Sequence, residues 1–332
     1  MDVSRIDITT IESLAPIMTI VAPYNPTISP DYLHDLQNIR MAHASLFTLR
    51  QFPTAYALLM DVLEQPLVDI PAWIWTYKFD KGGTSSTEQQ LIQTIRFILT
   101  DYVNNCTSAQ VAPCFDIGER RFLGEYVLPI FKSLARQTGT LCFNWCEVQL
   151  KQQTYQSRVM INAGQLDGMN LRFVDGLGID VNGNERLVLE ISGGHATDNH
   201  QHASDDTLKI IHSLMCILKG DAQNHINASF TTYRRIKAFG VQTVKDTVIL
   251  SEMMLADNFK YVYKEIMTAT VPVNDNHRCK WLPMFDLLAY LILQLDEQLA
   301  HIKRLQEEHS GRHPVDMHDL LFSALCYQQQ DV

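Results

Sequence analysis

The segment Arg186–Gly193, with the sequence RLVLEISG, decides how the middle of this chain folds. Its short apolar run predicts a buried β-strand, and Glu190 puts a carboxylate at the end of that strand. Directly before it, Asp180–Glu185 contains Asn182-Gly183-Asn184, a strong turn signal that would bring the neighbouring strand alongside. A carboxylate in such a place needs a counter-ion, a metal or a helix N-terminus, because burying an unpaired one is costly.

The segments around this strand alternate between helical and strand-like patterns. Before it, a helix opens at Gly118–Glu119 and ends at Gly139, and Pro129 is expected to bend or break that helix. After it, Ser204-Asp205-Asp206 is expected to cap a helix that runs to about Ser229. The remaining predicted strands are Leu141–Leu150, Val159–Asp167, Met169–Val174, Thr247–Leu255 and Phe259–Val273.

The central order is therefore helix, strand, strand, strand, helix, strand, which predicts an α/β fold with a mixed sheet. Apolar residues at helical spacing predict a mainly helical N-terminal region at 1–110. The α/β core is expected at 111–275. A C-terminal helix at Trp281–Glu308 and a tail make up 276–332.

Composition excludes some classes of protein. No run approaches the roughly 20 apolar residues of a membrane-spanning helix, so no membrane association is expected. Seven cysteines, with no repeated Cys-x-x-Cys, indicate reduced thiols and an intracellular, nuclear or cytoplasmic location. The formal net charge of −10 is unlike that of most proteins that grip nucleic acid by its phosphates, and the local basic clusters are short.

Two segments carry a resemblance to a known family: Glu190-Ile191-Ser192-Gly193, and Asp205-Asp206-Thr207-Leu208-Lys209. With the order of elements, they make Phe115–Leu255 resemble the core of the PD-(D/E)XK nuclease superfamily. The chain also resembles degenerate members of that superfamily found as uncharacterised fungal proteins. The resemblance implies a restriction-endonuclease-like mixed sheet flanked by helices.

The resemblance also implies a metal site. In the family, an Asp and the Glu of the last motif bind magnesium, and Asp167 and Glu190 match this pair. A Mg²⁺ or Mn²⁺ ion is therefore the expected cofactor. A helix acid assists in the family, and either Glu119 or Glu125 is available here. Helical phase favours Glu119, which lies on the flank of the apolar stripe.

One motif residue departs from the family. The motif Lys positions or activates water, and Ser192 stands in its place. A hydroxyl cannot supply the positive charge that stabilises an attacking hydroxide. Because this Lys changes position within the family, Lys209 on the following helix is the candidate to replace it.

Two other groups could bind a transition metal. The first is a Gly-rich loop and helix start whose imidazoles and carboxylates are dense but irregularly spaced: His195, Asp198, His200, His202, Asp205 and Asp206. The second is Cys142 with Cys146 in a strand-like run. A solvated polar loop and ordinary reduced thiols are the simpler interpretations.

Three functions follow from these patterns. The first is a divalent-metal-dependent phosphodiesterase acting on DNA or RNA, with Glu119, Asp167, Glu190, Ser192 and Lys209 as its site. The second is a catalytically inactive nuclease-fold protein that binds or scaffolds a protein partner through its helical regions. The third is an unrelated α/β protein with a metal site in the His-rich loop.

Overall fold

The computed structural model of the 332-residue chain describes residues 18–21, 48–107, 118–155, 171–192, 200–256 and 260–322. For residues 18–21 and 200–204, the structure describes the backbone and not the side chains. A single seven-stranded mixed sheet has the order β1-β7-β6-β5-β4-β3-β2. Helices flank it, with a helical N-terminal region and a long C-terminal helix. The predicted α/β fold class is therefore confirmed.

The strands form a meander, a crossover and a second meander. β2, β3 and β4 pair antiparallel, β4 pairs with β5 in parallel, and β5, β6 and β7 pair antiparallel. β1 pairs with β7 in parallel at the far edge. The strands are β1 Met18–Val21, β2 Leu141–Gln149, β3 Phe173–Asp180, β4 Glu185–Ser192, β5 Lys237–Val244, β6 Thr247–Leu255 and β7 Tyr261–Thr270.

The helices cover both faces of the sheet. They are α1 Pro53–Leu63, α2 Ile70–Thr76, α3 Ser86–Thr107, α4 Glu119–Phe122, α5 Leu128–Thr138, α6 His200–Asn224, α7 Phe230–Tyr233 and α8 Trp281–His309. A π-helical turn, Leu123–Val127, joins α4 to α5. No helix within the described ranges is long and apolar enough to cross a membrane.

The predicted strand at the centre of the sheet is buried on both faces. Leu187 and Leu189 belong to the apolar cluster formed with α1, α3, α5 and α8. Val188 belongs to the opposite cluster, which α6 dominates. Because a strand packed between two layers is buried on both faces, its sequence is a continuous apolar run rather than an alternating one, which explains the sequence of β4. The predicted turn before it is also present, with Gly183 at φ +85°.

The helix before the sheet shows how the chain accommodates Pro129. Instead of a break, a π-helical turn precedes it, and α5 continues to Gly139, which adopts φ +66° as its cap. Proline lacks the N–H that would bond the Glu125 carbonyl four residues earlier. The side chain of Asn105 in α3 donates to that carbonyl at 2.8 Å. The orphaned acceptor is therefore satisfied from a neighbouring helix.

Three expectations about the central elements were wrong. The strand predicted at Met169–Val174 lies instead at Phe173–Asp180, because the chain pairs with β4 up to the turn before it. The crossover helix α6 begins at His200, so Asp205 and Asp206 lie inside it rather than at its cap. The strand that the crossover reaches is Lys237–Val244, which had not been predicted as a strand. Gly240, Gln242 and Thr243 interrupt its apolar pattern, although all three are buried in the sheet.

Candidate functional site

The candidate site lies where β4 and β5 end and β3 begins, under the first turns of α6. Val188 faces α6, so alternation along β4 directs Glu190 to the same face. On β5, a side chain at Gly240 would meet Ile210 of α6, and Gln242 follows two residues later on that face. The site is therefore polar and lies at one end of the apolar layer between the sheet and α6.

Glu190 is the most perturbed acid of the site. It is 5 % exposed, and its Oε1 is buried without a hydrogen-bond partner among the described residues. Burial, and then the negative charge of Asp175, raise the pKa of Glu190 to about 8, although Lys209 and Arg172 oppose the shift. A carboxylate in this state binds a proton or another cation more readily than an exposed one.

Asp175 in β3 lies across the sheet from Glu190. The β3–β4 pairing ends at Gly176 with Leu189, and the next residue, Asp175, accepts a hydrogen bond from the Ile191 N–H at 2.9 Å. Burial raises the pKa of Asp175, and nearby Glu119 and Asp206 add to the shift. One buried and one half-buried carboxyl group therefore share one end of the sheet and repel each other when both are ionised.

A hydrogen-bond network closes the other side of the site. Ser192 Oγ donates to Asp206 Oδ2 at 2.8 Å and accepts from Gln242 Nε2 at 3.1 Å. Gln242 Oε1 in turn accepts from the Thr207 hydroxyl at 2.8 Å. The ammonium of Lys209 forms an ion pair with Asp206. Burial alone lowers the pKa of Lys209, but the bond to Asp206 and its charge raise it.

Several predicted residues meet here. Glu190, Ser192 and Lys209 belong to one connected site, and Lys209 reaches it from the helix after the motif strand. Glu119 is exposed in the first turn of α4, near enough to Asp175 to affect its pKa. The other candidate helix acid, Glu125, pairs with Arg121 at 2.9 Å.

Other predicted residues fall outside the described ranges. Asp167 is one, so its distance from Glu190 stays untested. His195 and Asp198 are also outside, as are the side chains of His200 and His202. Cys142 and Cys146 are exposed free thiols on β2. Within the described parts, no three His, Cys, Asp or Glu side chains are grouped so that they could hold a metal ion.

Sequence reasoning missed Asp175, which was placed after a strand that was expected to end at Val174. The signal that could have found it is the register of the hairpin. Gly178 pairs with Leu187 and Gly176 with Leu189, so one further step sets Asp175 opposite Glu190. Counting residues back from the Asn182-Gly183-Asn184 turn would have predicted nearly this pairing. An irregularity in the register next to the turn prevents the count from giving it directly.

Searches of protein-family models, of curated proteins and of solved structures found no match to this chain. Its function is therefore inferred from the residues of the site.

Proposed function

We propose that the end of β4 is the active site of a divalent-metal-dependent phosphodiesterase of the PD-(D/E)XK type, acting on DNA or RNA. The observation that carries the proposal is Glu190, a buried carboxylate with an unpartnered oxygen. Asp175, a half-buried carboxylate on the neighbouring strand, lies beside it. Burying such a group without a counter-ion is costly, so a cationic ligand explains why the fold keeps it there.

The donor set suits magnesium. Mg²⁺ prefers oxygen ligands and is usually held by one or two carboxylates, with waters and substrate phosphates completing its shell. Glu190 and Asp175 would supply these carboxylates, with Asp167 as the alternative partner. Such an ion lowers the pKa of bound water and neutralises charge on a phosphate. Because the pKa of Glu190 is about 8, its proton competes with the cation near neutral pH.

Positive side chains flank this pair. Lys209 and Arg172 both lie near enough to Glu190 to oppose the rise of its pKa. In this proposal Lys209 takes the role of the motif lysine that Ser192 lacks, and orients a phosphate or stabilises the attacking oxygen. Asp206 holds Lys209 in place through their ion pair.

One observation favours a second candidate, an inactive nuclease-fold protein that binds a protein partner through its helical regions. Asp206 neutralises Lys209, and Ser192 at the motif position is engaged by Asp206 and Gln242. Lys209 is the one lysine near Glu190 among the residues that the structure describes, and because it is already paired, the site is poorly prepared to stabilise extra negative charge. The two candidates share the fold and differ in catalysis.

The test is a calorimetric titration of Mg²⁺ and Mn²⁺ into the wild-type protein and into Glu190→Gln, Asp175→Asn and Asp167→Asn. We expect Glu190→Gln and Asp175→Asn to weaken cation binding at least about tenfold, because each removes a charged ligand. Glu64→Gln, at an exposed position, is the matched control. The Asp167 variant decides which Asp partners Glu190.

Cleavage assays on single- and double-stranded DNA and RNA then separate the two candidates. Cation-dependent cleavage that Lys209→Met abolishes would support the phosphodiesterase. Cation binding without cleavage would support the inactive relative. If Glu190→Gln bound the cations as tightly as the Glu64→Gln control, the proposed metal site would be wrong.

A further inference from the structure

A second polar cleft opens at the other end of β5. It has a volume of about 420 Å³ and lies between the start of β5, the end of α7 and the middle of α8. Lys237 at the start of β5 lines it, whereas Gln242 of the candidate site lies five residues further on. That interval is about 17 Å of extended strand, so the cleft is separate from the carboxylate site.

The cleft concentrates positive charge on an acidic protein. Arg234, Arg235 and Lys237 line it together with His301, while Glu297 is its one acid among the described lining residues. The whole chain carries a formal charge of −10, so general attraction does not draw anions to this protein. An anion that binds here must do so through these particular side chains.

The floor of the cleft is held rigidly. The Lys237 ammonium donates to Glu252 Oε2 at 2.9 Å and to Gln294 Oε1 at 2.7 Å. Gln298 binds the Lys237 backbone at both ends, accepting from its N–H at 2.7 Å and donating to its carbonyl at 3.0 Å. Such a floor loses little entropy when a ligand binds.

The arginines provide the contacts that the floor lacks. The Arg234 guanidinium lies over the Phe230 ring, 5.8 Å from its centroid, which orients its plane. Arg235 is exposed at the rim, and its side chain makes no hydrogen bond or ion pair with the described residues. Since Glu252 already balances Lys237, the Arg235 guanidinium supplies the charge available to a ligand, and Arg234 lines the cleft beside it.

We propose that this cleft binds the phosphate monoester group of a small ligand. A planar guanidinium group binds phosphate oxygens through two parallel hydrogen bonds, so Arg235 would hold the phosphate, with Arg234 beside it in the cleft. The volume suits a ligand the size of a nucleotide or a sugar phosphate. Both carry the same group, so they share one recognition chemistry.

The experiment titrates adenosine 5′-monophosphate, ribose 5-phosphate and adenosine into the full-length protein by calorimetry. EDTA is present, so that no cation at the carboxylate site can contribute. We expect the two phosphates to bind with dissociation constants on the order of 1 mM or tighter, and adenosine not to bind. Equal affinities for the two phosphates would mean that the cleft recognises the sugar phosphate alone. Tighter binding of the nucleotide would mean that the cleft also recognises its base.

Three variants test the assigned residues. Arg235→Gln is expected to weaken phosphate binding at least about tenfold, whereas Arg136→Gln on the exposed surface of α5 is expected to leave it unchanged. Glu297→Gln is expected to strengthen binding, a direction that misfolding would not produce. The proposal would be overturned if adenosine bound as tightly as the nucleotide, if neither phosphate bound, or if the two arginine variants behaved alike.

Discussion

Two groups of buried charges lie at opposite ends of β4, and they differ in one respect. At the start of β4, the Arg186 side chain is buried between Asp180 of β3 and Asp221 of α6. It donates to Asp180 at 2.9 Å, and backbone N–H groups of the following turn also bond Asp180. At the end of β4, Glu190 keeps an oxygen without a partner among the described residues.

The difference separates a structural cluster from a binding site. Burial alone lowers the pKa of Arg186, but the charges and hydrogen bonds of Asp221 and Asp180 raise it, so the three groups stabilise one another in their ionised forms. Around Glu190, by contrast, the negative charge of Asp175 is repulsive and raises the pKa of Glu190. The first cluster is complete in itself, whereas the second is completed by a proton or by a cationic ligand.

The largest effect is expected from removing the central cation of the complete cluster. Arg186→Met leaves two buried carboxylates without their counter-ion, and we expect the free energy of unfolding to fall by about 3–5 kcal/mol. Urea denaturation at pH 7 measures this change. Arg121→Met, which breaks an exposed pair with Glu125, is the control and is expected to cost less than about 1 kcal/mol. Similar losses in both variants would remove the distinction between the clusters.

A smaller effect is expected from the pH dependence of Glu190. Its folded-state pKa of about 8 lies above the value in an unfolded chain, so the folded state holds the proton over a range where the unfolded state has lost it. This contribution to stability is present at low pH and is lost as the pH rises through about 8. The loss of stability between pH 5 and pH 8 is on the order of 3 kcal/mol.

Glu190→Gln removes this titration, so the stability of the variant should fall less steeply over the same interval. Denaturant midpoints measured at several pH values compare the two proteins. Saturating Mg²⁺ should restore stability to the wild type at pH 8 and not to the variant, because a bound cation replaces the proton. Parallel pH profiles for the two proteins would mean that Glu190 is not the perturbed group.

The smallest effect is expected at Ser192. Ser192→Ala removes the hydroxyl between Asp206 and Gln242, and we expect a loss of about 1 kcal/mol in the free energy of unfolding. The same variant frees one oxygen of Asp206, so Mg²⁺ affinity should not decrease. Thr100→Ala, which removes a hydroxyl that donates to the Arg96 carbonyl and accepts from the Trp75 indole, is a comparison of similar size. A loss of several kcal/mol at Ser192 would indicate a structural network like that of Arg186.

Local patterns predicted some elements well. The strand at 186–192, the turn before it and the helix ending at Gly139 follow from apolar spacing and glycine positions within a few residues. The long C-terminal helix, Trp281–His309, lies almost where it was predicted. The strand β5 was not predicted because Gly240 and Gln242 interrupt its apolar pattern. Both residues contact α6, and this tertiary contact leaves no signal in the local sequence.

The sequence by itself determined the α/β class, the strand that carries Glu190 and the helix that carries Lys209, because hydrophobic periodicity and turn chemistry act over short distances along the chain. Only the tertiary structure decided which groups surround Glu190. The register of β3 on β4 brings Asp175 to it, and the crossover of α6 brings Asp206 and Lys209. Carboxylates change one another's pKa through space. The groups that lie close enough to do so are determined by strand register and helix packing rather than by spacing in the chain.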